Sequence, residues 1–164
     1  MVTVAPLPAG ALLSRYADQS GCYTDCFTTE LAHNVTFPAY VTAFYTTALF
    51  RLERLILRLT LRRPSSDADA AALAIGTADT FAAWSVEDRG ANQLLLCDLA
   101  GRTRSWLMTA PGNTPDTTQL WFGSAVVARS DGSGLGPPFT LLLGFHKLYS
   151  RALLAAARHR LSTR

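Results

Sequence analysis

The sequence predicts an α+β protein in which a curved antiparallel sheet wraps around one long C-terminal helix. Three observations lead to this prediction. The chain has 164 residues, 49% of them hydrophobic, which suffices for one domain with a real core. Its second half alternates strand-length apolar segments with turn signals. Its last part, "LLLGFHKLYSRALLAAARHRL" over 141–161, has the apolar spacing of a helix.

The first half of the chain predicts a lead-in, a strand and helices. Residues 1–20 are rich in proline, alanine and glycine without a clear period, so we expect an irregular segment there and a single domain over 21–164. The stretch "CYTDCFTTEL" over 22–31 predicts the first strand. The stretch 37–63 predicts an amphipathic helix or a bent pair of helices, with Pro38 placed at a helix start.

The second half predicts four more strands, so that about five are visible in all. They are "TFAAWSVEDR", "NQLLLCDLA", "RTRSWLMTA" and "TTQLWFGSAVVAR". Their short connections favour an antiparallel meander. The dipeptide Ala-Gly at 100–101 predicts a two-residue hairpin turn, which pairs Cys97 with Arg104 and Leu95 with Trp106. The segment 130–136 predicts a flexible loop before the final helix, which Pro137 is placed to open.

This order of elements, together with the segments "FAAWSV", "QLLLCDLAGRTRSWLM", "LWFGSAV" and "LLGFHKLYSRAL", resembles the START-like (SRPBCC) superfamily. The likeness is to a branch of uncharacterised function, and it covers about residues 21–162. It implies the helix-grip fold, in which a cavity often lies between the sheet and the C-terminal helix. Seven strands are usual in that superfamily, so either two strands lie in irregular segments here or the sheet is smaller.

The hairpin predicts one candidate binding surface. Cys97, Arg104 and Trp106 share a face of it, and a guanidinium beside an indole suits an anionic group under an aromatic wall. The alternative is that Arg104 is solvated or paired with a carboxylate such as Asp98 or Glu87.

Aromatic residues and the last helix supply the other candidates. Trp84, Trp106 and Trp121 lie on three neighbouring predicted strands, where they either line an apolar pocket or fill the core. On a helical wheel Tyr149 points inwards, and His146 lies on the flank of the buried face. His146 is either a general base or a structural, hydrogen-bonded histidine.

The helix at 51–62 predicts an interaction surface. Its arginines form a stripe with apolar residues on both flanks, which is more apolar surface than one core contact needs. The stripe consists of Arg51, Arg54, Arg58 and Arg62. A second subunit, a membrane surface and plain solvation are the three alternatives, and a homodimer is the one we favour.

Several classes of function are not indicated. A net charge of +3 is too mild to indicate nucleic acid binding. We see no metal-ligand spacing, no phosphate-binding glycine loop and no nucleophile elbow, so neither a metal nor another cofactor is expected. Three cysteines, no signal peptide pattern and no apolar run of membrane-spanning length predict a cytoplasmic protein without stable membrane insertion.

The expected function is therefore binding of an apolar or aromatic small molecule between the sheet and the C-terminal helix. Its ligand-binding residues are predicted as Trp84, Cys97, Arg104, Trp106, Trp121, His146 and Tyr149. One alternative is an enzyme on the same scaffold, of cyclase, dehydratase or hydrolase type, with His146 or Asp25 as acid or base. The other alternative is a non-catalytic interaction module.

Overall fold

The computed structural model describes residues 1–127 and 137–163, and of residues 137–146 it describes the backbone only. The predicted loop over 130–136 lies outside the described residues. The strands are β1 (Thr3–Val4), β2 (Tyr23–Leu31), β3 (Thr80–Phe81), β4 (Trp84–Arg89), β5 (Gln93–Asp98), β6 (Thr103–Pro111) and β7 (Thr118–Val126). The helices are α1 (Ser14–Ala17), α2 (Phe37–Tyr45), α3 (Ala48–Leu61), α4 (Asp67–Ile75) and α5 (Pro137–Ser162).

The strands form one curved, open antiparallel sheet in the order β1-β2-β7-β6-β5-β4-β3, which confirms the predicted α+β fold with its long C-terminal helix. The sheet has seven strands where about five were visible in the sequence. The additional strands, β1 and β3, have two residues each and lie at the two edges. β1 lies in the predicted irregular lead-in, where two residues are too few to show an alternating pattern. β3 lies inside the predicted strand over 80–89, which Ala82 in a left-handed conformation divides into β3 and β4.

The helical layer covers one face of the sheet, which we call the inner face. Alternate residues of the long strands point to it, among them Phe27, Leu107 and Phe122, and they pack against α2, α4 and α5. The predicted amphipathic stretch 37–63 is a pair of helices. Thr36 caps α2 by accepting from the amide of Ala39 at 3.4 Å, and Thr47 caps α3 in the same way.

Helix α5 is held firmly at its C-terminal half. Arg158 donates to the carbonyl of Glu30 at 3.1 Å, and Arg160 donates to the carbonyl of Thr46 at 3.0 Å. Leu154 and Ala157 are fully buried between these contacts. These contacts anchor the C-terminal half of α5 to β2 and to the connection between α2 and α3.

The N-terminal segment packs against the opposite, outer face of the sheet. Leu13 and Trp106 are fully buried there in a second core. Gln93 links the two layers, because its Oε1 accepts from the amide of Leu12 and from Trp106 Nε1, both at 3.0 Å. Its Nε2 donates to the carbonyl of Gly10 at 3.0 Å. The N-terminal segment thus covers the outer face of the sheet, as the helices cover the inner face.

Gly123 on β7 lets this layer approach the sheet closely. A Cβ at Gly123 would lie 2.6 Å from Leu13 Cδ2 and 2.9 Å from the backbone oxygen of Asp25. Backbone atoms in a sheet have little room to move, so we expect Gly123→Ala to lower the free energy of unfolding by about 1 to 3 kcal/mol. Urea denaturation measures this loss.

Gly90→Ala is the matched control for that substitution. A Cβ at Gly90 meets nothing closer than 3.7 Å, and its φ is not in the left-handed region. We expect this variant to change the free energy of unfolding by no more than about 0.5 kcal/mol. Equal effects of the two substitutions would contradict the close packing of the N-terminal segment on β7.

Candidate functional site

A cavity of about 620 Å³ lies between α3, α5 and the inner face of the sheet. Its walls are mainly aromatic and aliphatic, and they include Phe44, Phe50, Ile56, Trp84, Phe122 and Leu153. At its rim, Leu52 is 55% exposed and Leu148 is 68% exposed. The cavity is therefore open to solvent between the two helices.

Small residues on the sheet create this space. Leu107 pairs with Phe122 across β6 and β7, and both fill the inner core. Two residues further along the same face, Ser105 pairs with Ser124. Both serines line the cavity, and Ser150 on α5 faces it from the helical layer. Because the side chains change from large to small at paired positions, the helices and the sheet leave a gap there.

Glu53 brings a carboxyl group into this apolar wall. Its Oε2 accepts a hydrogen bond from the hydroxyl of Tyr149 on α5. Burial raises the pKa of Glu53, although the bond from Tyr149 opposes that shift. The pKa of Tyr149 is also raised, mainly because its hydroxyl is buried and in addition because the Glu53 carboxylate is close. This hydrogen bond joins α3 to α5 across the cavity, and its proton stays on Tyr149.

Ser105 and Ser124, the paired serines of the cavity wall, each take part in a further hydrogen bond. The hydroxyls of Tyr45 and Ser105 share a hydrogen bond of 3.2 Å. Asp25 Oδ1 accepts from the amide of Ser124 at 3.1 Å and from its hydroxyl at 2.6 Å. Tyr23 donates to the other oxygen of Asp25 at 3.3 Å. Asp25, the acid or base of the enzyme alternative, is therefore bonded through both of its oxygens.

Two buried polar atoms of the cavity wall have no hydrogen-bond partner among the described residues. They are the indole Nε1 of Trp84 and the hydroxyl of Ser150. A buried donor without a partner costs about 1 to 3 kcal/mol. A ligand in the cavity would offer such a partner.

The predicted site residues fall on two faces of the sheet. Trp84 and Tyr149 line the cavity. Cys97, Trp106 and Trp121 belong to the outer face, where the N-terminal segment lies. The three tryptophans therefore do not form one wall, because Trp84 lies at an inner position and the other two at outer positions of their strands. The side chain of His146 lies outside the described residues.

The predicted hairpin register is confirmed, and it explains the surroundings of Arg104. Cys97 pairs with Arg104 and Leu95 with Trp106. The guanidinium of Arg104 donates through Nε to Glu87 at 2.8 Å and to the hydroxyl of Tyr16 at 3.0 Å. It also lies 4.8 Å from the centre of the Tyr16 ring. The alternative of a carboxylate partner is thus the one observed, and the guanidinium faces away from the cavity.

Sequence reasoning missed Glu53, Ser105 and Ser124. Glu53 was overlooked because it lies in a helix whose arginines dominate its charge pattern. The signal was its spacing, since Glu53 follows Leu49 by four residues and precedes Ile56 by three, on the flank that looks apolar. Ser105 and Ser124 carry no local signal, because only the pairing of β6 with β7 brings them together.

The predicted arginine stripe of α3 is partly buried. Arg54 is 8% exposed and donates to Asp67 at 2.7 Å and to the hydroxyl of Ser65 at 3.0 Å. Arg51 pairs with the same Asp67. Four exposed apolar residues of α3 have helical spacing and form what we call the α3 stripe: Leu52, Leu55, Ile56 and Leu59.

The three cysteines form no disulfide. Burial raises the pKa of Cys26 to about 12, with a further contribution from the Asp25 carboxylate, and burial also raises the pKa of Cys97. These two thiols stay protonated near neutral pH, so neither is an activated nucleophile.

Within residues 1–127 and 147–163, whose side chains are described, no three His, Cys, Asp or Glu side chains are grouped so that they could ligate a metal ion. In that same part of the chain, every helix is too short or too polar to cross a bilayer.

The fold and the cavity define a class of protein: an α+β domain whose antiparallel sheet and C-terminal helix enclose a largely apolar cavity. Comparisons with known protein families, with curated proteins and with solved structures found no match to this chain. The architecture is compatible with a helix-grip fold. Membership of the START-like superfamily stays a prediction.

Glu53 predicts a specific pH dependence of stability. Its pKa is raised in the folded state, so ionisation costs the fold stability as pH rises above the unfolded value of about 4.3. Glu53→Gln removes that cost. We expect the stability of this variant, relative to wild type, to increase between about pH 4 and pH 7, as measured by urea denaturation across that range.

Glu30→Gln is the control, because we expect its stability relative to wild type to change with pH in the opposite direction. Hydrogen bonds from Thr117 and Asn113 hold the pKa of the half-buried Glu30 below its usual value. Its ionised form therefore stabilises the fold, and that contribution is lost as pH falls through the folded pKa. Relative to wild type, this variant should lose stability as pH rises. A Glu53→Gln variant that behaved like Glu30→Gln would contradict the buried position of Glu53.

Proposed function

We propose that this protein binds an apolar or aromatic small molecule in the cavity between the sheet, α3 and α5. The observation that carries the proposal is the cavity itself, whose volume of about 620 Å³ falls within the range of small-molecule sites. Its walls are aromatic and aliphatic, with a few polar groups at one end, which is the composition typical of such sites. The exposed Leu52 and Leu148 at the rim support entry between the two helices.

A narrowed rim should weaken this binding. Ala152 lines the cavity on an exposed part of α5, so Ala152→Trp places a large ring at the entrance without disturbing the core. We expect the affinity for an environment-sensitive apolar dye to fall at least about tenfold, which corresponds to about 1.4 kcal/mol. Fluorescence titration of the dye measures this change.

Ala155→Trp is the matched control, because Ala155 is exposed on the same helix and does not line the cavity. It should bind the dye as wild type does. Displacement of the dye by small aromatic or lipid-like compounds distinguishes the cavity from unspecific adsorption. A native protein that binds neither the dye nor any member of a diverse apolar library would refute the proposed function.

An enzyme on the same scaffold is a second candidate, and Glu53 is the observation that favours it. A buried carboxyl with a raised pKa in a cavity is a typical candidate for an acid or base. Binding is the function we favour, because the one group bonded to Glu53 among the described residues is Tyr149, whose own pKa is raised. Neither group is thereby prepared as a nucleophile.

We also propose that the α3 stripe mediates self-association. Leu55 is 48% exposed and Leu59 is 74% exposed, and with Leu52 and Ile56 they form one continuous apolar strip. Homodimer interfaces are richer in apolar area than the ordinary protein surface, which supports a second copy as the partner.

A cytoplasmic location, expected from the sequence, stays a prediction.

Charge on the α3 stripe should prevent dimerisation. We expect wild type to sediment as a dimer at micromolar concentration and the double variant Leu55→Lys, Leu59→Lys to sediment as a monomer, since two buried ammonium groups would face each other. Leu99→Lys, at an equally exposed leucine in the β5–β6 turn, is the control and should remain dimeric. Wild type that is monomeric throughout this concentration range would reject the proposal.

A further inference from the structure

We infer that the cavity selects apolar molecules that carry a neutral hydroxyl group, such as a phenol or an alicyclic alcohol, over the same molecules carrying a carboxylate or an ammonium group. This inference names the ligand class of the proposed function and rests on it. The selecting groups are Glu53 as acceptor and Trp84 as donor, both in the cavity wall.

Glu53 supplies the acceptor. Tyr149 donates to its Oε2, and no described residue donates to its Oε1. Glu53 is half-buried in the largely apolar wall, so its carboxyl group is partly desolvated. A hydrogen-bond donor on the ligand would complete the coordination of the carboxyl group.

Trp84 supplies the donor. Its indole Nε1 is buried and has no partner among the described residues, and an indole N–H donates without accepting. The hydroxyl of Ser150 is the second buried group of the wall without such a partner, and it can donate or accept. A ligand that satisfies both groups of the wall must therefore accept one hydrogen bond and donate another.

The charge of the wall excludes anions. Besides Glu53, the one charged residue of the described lining is Arg104, and its guanidinium is bonded to Glu87 and Tyr16 on the outer face. A ligand carboxylate would thus meet a carboxyl group in an apolar setting without a compensating cation. Two such groups cannot both ionise at low cost.

An ammonium group fits Glu53 but not Trp84. It has three donors and no acceptor, so the indole N–H would stay without a partner. Its transfer from water into an apolar wall also has a large desolvation cost. A hydroxyl group donates, accepts and carries no charge, and for this reason it matches both groups of the wall.

Four ligands with the same apolar body test this inference: naphthalene, 2-naphthol, 2-naphthoate and 2-naphthylmethylamine. Their affinities are measured by displacement of a bound apolar dye from wild type near neutral pH. We expect 2-naphthol to bind about tenfold more tightly than naphthalene, in line with one or two hydrogen bonds made to buried groups. The naphthoate should bind most weakly.

Variants assign the selectivity to the two residues. Glu53→Leu removes the acceptor and leaves the indole donor, so it should reduce the preference for 2-naphthol over naphthalene and leave naphthalene binding intact. Glu53→Gln keeps an acceptor oxygen and removes the charge, so it should retain the preference for 2-naphthol while binding 2-naphthoate more tightly than wild type does. Trp84→Phe removes the donor and should weaken 2-naphthol binding with little change for naphthalene. Arg58→Leu, at an exposed site of the same helix, is the control and should behave as wild type.

The outcomes separate the inference from the proposed function. Binding of naphthalene without a preference for 2-naphthol, or with the tightest binding for 2-naphthoate or the amine, overturns the inference and leaves the proposed function standing. If none of the four ligands displaces the dye, both fail. Should Glu53→Leu not fold, the wild-type series together with Glu53→Gln and Trp84→Phe still decides, because unchanged selectivity in both variants contradicts the assigned roles.

Discussion

The position of β7 within the sheet is the constraint on which the rest of the structure depends. It pairs along its whole length with β2 on one side and β6 on the other. Because side chains alternate along a strand, its register decides that Phe122 and Ser124 face the helices while Gly123 faces the N-terminal segment. A shift by one residue would exchange the two sets. The inner core, the cavity and the approach of the outer layer all follow from this one alignment.

The sequence contained more of the fold than of the site. The short connection over 99–102 fixes the register between β5 and β6 locally, so the partners of Cys97 and Leu95 were predictable, although the turn hydrogen bond runs from Gly101 N to Asp98 O and not around a two-residue turn at 100–101. The face on which each tryptophan lies was not, since it depends on how strands distant in sequence pair and on the bulge in β4 between Val86 and Asp88. For the same reason the sequence did not locate β1 and did not separate β3 from β4, because two-residue strands are defined only by their pairing.

The cavity site combines residues that no local pattern connects. Ser105 and Ser124 are ordinary strand residues until their pairing places two small side chains opposite each other. Glu53 belongs to a helix dominated by arginines, and its contact with Tyr149 spans 96 residues of sequence. Its spacing on the apolar flank was the one signal available. Recognition of the site from sequence would have required knowledge of which flank of α3 faces α5.

The outer layer has a consequence for the order of events during synthesis. Leu12 is synthesised well before the residue that holds it, since its amide is bonded to Gln93, 81 residues further along the chain. Closing so long a loop has an entropic cost that only a formed sheet offsets. The nascent chain thus carries Leu13 and Tyr16 uncovered until β5 and β6 have emerged, and in that interval these apolar side chains are accessible to chaperones.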